Sequence, residues 1–143
     1  MRIDTATTAT PELLEGLSRL LPQLNPDLQA LTLERLQRII NDPAATLLVV
    51  RDDEDAIVGT AAVLVYTTPA YVKSRVEDVV IDEHSRGKGV GMELVRRCIE
   101  VARESGAQIV ELQSARWRKV ANKLYPKLGF ELRDSNLYRL NLE

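Results

Sequence analysis

A chain of 143 residues, 45 % hydrophobic and 28 % charged, has the balance of one ordinary globular domain and can bury about 70 % of its unfolded surface. A formal net charge of −2 supplies no general basic field, which disfavours a nucleic-acid backbone as partner and an RNA-directed activity with it. The single cysteine, Cys98, excludes an intrachain disulfide. No apolar run approaches the roughly 20 residues of a membrane span, and "MRIDTATTAT" lacks a signal-peptide plan, so the expectation is a cytoplasmic protein without a membrane partner.

The elements follow in chain order. "MRIDTA" is predicted as a short first strand. Thr10 offers a helix N-cap with Pro11 at the first helical position, and Leu13, Leu14, Leu17, Leu20 and Leu21 recur at helical spacing up to Pro22. Asn25 and Pro26 repeat the start signal, and Leu28, Leu31, Leu36, Ile39 and Ile40 mark a second helix ending before Pro43. "TLLVV" (46–50), the acidic turn "RDDEDA" (51–56) and "IVGTAAVLVY" (57–66) read as a hairpin, followed by the loop "TTPAYVKS". "RVEDVVI" (75–81) is a third strand carrying two acids.

Residues 90–104 place Val90, Leu94, Val95, Cys98, Ile99 and Ala102 on one helical face, and Gly106 stops the helix. "QIVELQ" (108–113) is another strand. Trp117, Val120, Ala121, Leu124, Tyr125 and Leu128 repeat the helical period up to Gly129, with Pro126 predicted to kink the helix or tighten its last turn. "FELRD" and "NLYRLNL" read as a closing antiparallel pair about residues 134–136. The order β-α-α-β-β-β-α-β-α-β-β describes an α/β fold: a mixed, mostly antiparallel central sheet with helices on both faces, in a single domain over 1–143.

The stretch "VVIDEHSRGKGVGMELV" sets three glycines between a strand and a helix. Free N–H groups of such a turn, with the helix dipole behind them, bind anions, and Gly87, Gly89 and Gly91 leave the backbone open to a phosphate. Arg86 and Lys88 add charge at the rim. A dinucleotide fingerprint would need glycine at Met92, and the spacing and Ser/Thr of a P-loop are missing.

Arg86-Gly87-Lys88-Gly89-Val90-Gly91 resembles the R/Q-x-x-G-x-G/A signature of the GNAT superfamily of acyl-CoA-dependent N-acetyltransferases, and "ANKLYPKLGFE" (121–131) resembles its A-x-x-x-Y-x-k-l-G-F run. The element order agrees with the family's. The resemblance implies a GNAT fold, acetyl-CoA as cofactor, and CoA pyrophosphate on Arg86, Gly87, Lys88, Gly89, Val90 and Gly91. It also implies oxyanion donors from the main chain of Val79, Val80 and Ile81, where the family splays neighbouring strands, and Tyr125 as the acid that protonates the leaving thiolate. Arg118 stands where the family often has an asparagine that holds the pantetheine arm; with Arg116, Lys119, Lys123 and Lys127 it could instead meet the CoA phosphates, and a solvated helix face is the competing reading of these bases.

Direct acetyl transfer also needs a base for the acceptor amine, and Glu77 and Asp78 are the candidates. On an alternating strand one of the two faces away from the other, and a strand-end ion pair with Arg75 or with a base on a helix is the competing reading. His84 reads as a surface residue and Cys98 as core packing, so no acyl-enzyme is expected; no metal ligands are assigned. The acceptor is a small amine or a peptide amine, and Lys73 and Arg75 would suit an acid group on it. The alternative is a non-catalytic acyl-CoA sensor of the same fold. A homodimer through the edge strand "NLYRLNL" completes the expectations.

Overall fold

The computed structural model describes residues 1–143. Two compact units divide the chain at Gln113/Ser114. The first, residues 1–113, is built on a five-stranded sheet in the order β1 (Arg2–Thr5), β2 (Ala45–Arg51), β3 (Ile57–Thr67), β4 (Val72–Ile81), β5 (Ile109–Leu112). The first three pairings are antiparallel and β4–β5 is parallel, with helix α3 (Val90–Glu104) as the crossover.

Alternation along β2 explains the layering. Leu48 and Val50 face α3, packing with Val63, Val76, Leu94, Cys98 and Ala102. Leu47 and Val49 face the other side, where Leu13, Leu17 and Leu20 of α1 (Pro11–Leu24) and Leu36 of α2 (Leu33–Ile40) cover the sheet. Burial on both faces is why "LLVV" is a continuous apolar run. Leu20, Leu36 and Leu94 are fully buried, and truncating any of them to alanine costs about 2–5 kcal/mol.

Three sequence expectations are corrected. Helix α1 does not stop at Pro22 but runs to Leu24: the proline is exposed in the last turn, so only the bond to the Ser18 carbonyl is lost. Helix α2 begins at Leu33, not near Pro26, because Asn25 is spent closing α1. Its N–H donates to the Leu21 carbonyl at 3.1 Å and its side chain accepts from Asp27 N at 2.9 Å, while Thr32 caps α2.

The third correction concerns the C-terminal unit, residues 114–143. Its only regular element is α4 (Lys119–Lys127), and residues 130–143 form no strand pair. Leu132, Leu137, Tyr138, Leu140 and Leu142 are exposed. Their alternation satisfies the pattern of a strand, but an isolated two-stranded hairpin is marginal in water at best.

Candidate active site

Strand β4 carries an irregularity that alternation alone does not predict. Thr60 pairs with Val80 and Ala62 with Glu77, so Ala61 faces two residues, Asp78 and Val79. Asp78 takes the extra position with φ +54°, a left-handed conformation that aspartate tolerates better than bulky residues do. The bulge exchanges the faces of the strand: Val76 packs toward α3, whereas Val80 packs toward α1 and α2. Simple alternation, expected to separate Glu77 from Asp78, is broken at that point.

The two acids sit in different surroundings. Glu77 is half-buried and accepts from Arg75 Nε at 2.8 Å, the ion pair that the competing reading anticipated. Asp78 is exposed as a residue, but crowding around its carboxyl raises its pKa, with the neighbouring Glu77 charge adding to the effect.

Pairing between β4 and β5 ends at Val76 opposite Leu112. Strand β4 then continues through Ile81, so Val79, Val80 and Ile81 lie in a segment bonded to β3 on one side and to no strand on the other. Main-chain groups there can meet an extended ligand as a neighbouring strand would.

Beyond β4, a 3₁₀ turn over Glu83–Ser85 leads into the glycine turn. Gly87 and Gly89 both have φ +79°, and a Cβ at either would meet nothing within 4 Å. Glycine is therefore required by backbone conformation, and the space around the turn is open. Gly89 is the N-cap of α3 and offers no side-chain bond to its first N–H groups, which leaves the amides of Val90, Gly91 and Met92 without a cap. Arg86 is anchored by Nε donating to the Ile81 carbonyl at 3.0 Å; Lys88 is exposed beside it. The turn thus fits a pyrophosphate: open, rimmed by two cations, and lined with donors.

One brace escaped the sequence reading. Gln23, in the last turn of α1, donates to Asp82 Oδ1 at 3.3 Å and accepts from Glu83 N at 2.9 Å, tying α1 to the loop ahead of the turn. A glutamine between Pro22 and Leu24 carries no signal for such a long-range contact.

The remaining residues assort as follows. His84 is exposed, beside Glu83. Cys98 is buried and its thiol is pushed up to about 12 by desolvation, which suits packing and not nucleophilic attack. Arg118 and Tyr125 lie in the C-terminal unit, Arg118 at the start of α4 and Tyr125 within it, and the ending of α4 explains the motif around the tyrosine. Gly129 N–H donates to the Pro126 carbonyl at 3.1 Å and Phe130 N–H to the Tyr125 carbonyl at 3.2 Å, with Gly129 at φ +93°. This is a Schellman cap, and it turns Phe130 back onto Tyr125, ring edge to face at 5.9 Å. Leu128 N–H bonds the Tyr125 carbonyl at 3.0 Å, the tightened last turn expected of Pro126. Arg118 is the N-cap of α4 and stacks over Trp117 at 4.9 Å.

A sequence model of the Acetyltransferase (GNAT) family matches residues 11–130. The chain belongs to this family. It is 33 % identical over 107 residues to the Oryza sativa subsp. japonica protein named probable glucosamine 6-phosphate N-acetyltransferase 2, covering 73 % of this chain and 58 % of that one. It is also 33 % identical over 89 residues to glucosamine 6-phosphate N-acetyltransferase of Trypanosoma brucei brucei, covering 60 % and 58 %. The chain thus spans less than two thirds of the length of these relatives. Among solved structures, a protein of Agrobacterium tumefaciens superposes with a TM-score of 0.84 at 26 % identity, covering 99 % of this chain and all of that one. The five-stranded mixed sheet between helices is the GNAT fold. No helix is long and apolar enough to cross a membrane.

Proposed function

We propose that this chain, as one domain over residues 1–143, moves the acetyl group of acetyl-CoA directly onto the amine of a small molecule or peptide. The observation that carries the reading is the open glycine turn at the uncapped start of α3, with Arg86 held at its rim by the end of β4. Family membership and two relatives named for acetylating an amino sugar support an amine acceptor.

Acetyl-CoA supplies the thioester carbonyl; the chain's residues do the rest. Main-chain donors of residues 87–91, with Arg86 and Lys88, bind the pyrophosphate. Arg118, in place of the family's asparagine, adds a cation for the CoA phosphates. N–H groups of Val79, Val80 and Ile81 on the side away from β3 stabilise the developing oxyanion. Glu77 and Asp78 supply the carboxylate that takes the acceptor's proton, and the raised pKa of Asp78 strengthens it as a base. Tyr125 gives its phenolic proton to the departing sulfur.

Tyr125→Phe tests the enzyme reading. The ring and its packing on Phe130 persist, so stability and acetyl-CoA affinity change little, while kcat falls about 10²-fold or more. The KM for acetyl-CoA moves less than kcat, as for a contact made in the transition state. Near-full kcat with lost stability would reduce Tyr125 to a packing residue. The exposed apolar residues of 132–142 support the further reading of a homodimer, which a monomeric mass in analytical ultracentrifugation would remove.

A further inference from the structure

Lys73, Arg75 and Glu77 alternate along β4 ahead of the bulge. Ser74 and Val76 between them are buried, Val76 against the α3 cluster, so the three charged residues share the opposite face of the sheet. Across β3 they lie opposite Tyr66, Leu64 and Ala62, and Glu111 of β5 lies opposite Arg75. Two ion pairs result: Lys73 Nζ to Glu111 Oε1 at 2.8 Å and Arg75 Nε to Glu77 Oε1 at 2.8 Å. All four side chains are half-buried, between 26 % and 37 % exposed.

Half-buried charges cost solvation that core packing does not require, since apolar residues would fill the same face at less expense. The bonding is also incomplete. Arg75 engages Glu77 through Nε alone, which leaves Nη1 and Nη2 without a protein acceptor, and Glu77 uses only Oε1. A guanidinium fork therefore stands beside a carboxylate oxygen, next to the Asp78 bulge. The fork matches a planar carboxylate or a phosphate, and the oxygen matches an ammonium. Two cations balanced by two acids favour a ligand carrying both charges over one carrying either alone.

We propose that Arg75 and Glu77 select the acceptor: a small amine that also bears a carboxylate or phosphate, with the anionic group on Arg75 Nη1 and Nη2 and the ammonium on Glu77 Oε2. The proposal rests on the acetyltransferase reading above. Arg75 Nε and Glu77 Oε1 are 2.8 Å apart, so the two binding groups stand side by side, close enough for one small molecule to bridge them.

The test measures thiol release from acetyl-CoA with matched acceptors: glucosamine 6-phosphate against glucosamine, and 4-aminobutyrate against butylamine. The expected result is kcat/KM at least 10-fold higher for the anionic member of one pair or both; which pair distinguishes phosphate from carboxylate. Arg75→Met, folded by circular dichroism, brings that ratio to near 1 through KM, and Arg75→Lys, which keeps charge without the fork, recovers only part of it. Neutral amines equal to or better than their anionic partners, or a ratio preserved in Arg75→Met, overturn the proposal. If no acceptor turns over, calorimetric titration of glucosamine 6-phosphate and of 4-aminobutyrate, with CoA present, decides it. Binding lost in Arg75→Met supports the site, and no binding to the unaltered chain overturns it. Failure of acetyl-CoA to bind would instead strike the acetyltransferase reading, while the titration still reports on Arg75.

Discussion

Helices α1 and α3 start in opposite ways. At α1, Thr10 Oγ1 accepts from Leu13 N at 3.1 Å, Pro11 removes one of the orphan donors, and Glu12 places a negative charge in the first turn. Helix α2 follows the same plan, with Thr32 Oγ1 accepting from Arg35 N at 3.1 Å. At α3 the cap is Gly89 at φ +79°, and no side chain bonds the first amides. The chain evidently can close a helix start with threonine. A start left open between two cations has donors to spend on something outside the chain, and with glycine as the cap it forgoes only a few tenths of a kcal/mol relative to a capping threonine.

The largest effect expected from erasing this difference is at Gly89. A valine there must adopt a conformation that β-branched residues reach only under strain, about 1–3 kcal/mol, and its side chain projects into the space a phosphate would take. CoA affinity should fall on the order of 10-fold or more, read as Kd by calorimetry, while circular dichroism stays that of a folded chain. Unchanged affinity would remove the glycine turn from the account.

Thr10→Ala is the complementary change. It should lower stability by about 1 kcal/mol in urea denaturation, because Leu13 N–H loses its acceptor, and should leave CoA affinity where it was. A drop in CoA affinity comparable to that of Gly89→Val would mean that the two helix starts are not functionally distinct after all.

The contrast also marks how far the sequence could be read. Helix starts at Thr10 and Gly89, the apolar face of α3 and the stop at Gly129 were legible because each follows from local chemistry: a capping hydroxyl, a period of 3.6, a residue free to take positive φ. Asn25 misled because the same side chain serves a helix start and an Asx turn, and only its bond to Asp27 N decides. The bulge at Asp78 was invisible because an acid in an apolar strand looks the same with φ on either side of zero. The segment 130–143 misled for a further reason. Alternation states which faces a strand would have, but pairing is a property of two segments, and one segment's sequence does not contain its partner.

The smallest effect concerns the acid that α1 keeps for itself. Arg51 donates to Glu12 through Nη1 at 3.1 Å and Nη2 at 2.8 Å, and these bonds hold the Glu12 pKa below its usual 4.5. A carboxylate with a depressed folded pKa contributes stability that is present above its unfolded value and lost as pH falls through the folded one. Glu12→Gln should therefore lower the denaturation midpoint slightly at pH 7, less than Thr10→Ala does, because the carboxylate is largely solvent-exposed. The difference from the unaltered chain should shrink as pH drops below about 4.5 and vanish once Glu12 is protonated in both states. A difference that held constant from pH 7 to pH 3 would assign the effect to packing rather than charge. Helix α1 would then be closed by Thr10 alone, and the contrast with α3 would rest on capping hydroxyls and not on which anion each helix start receives.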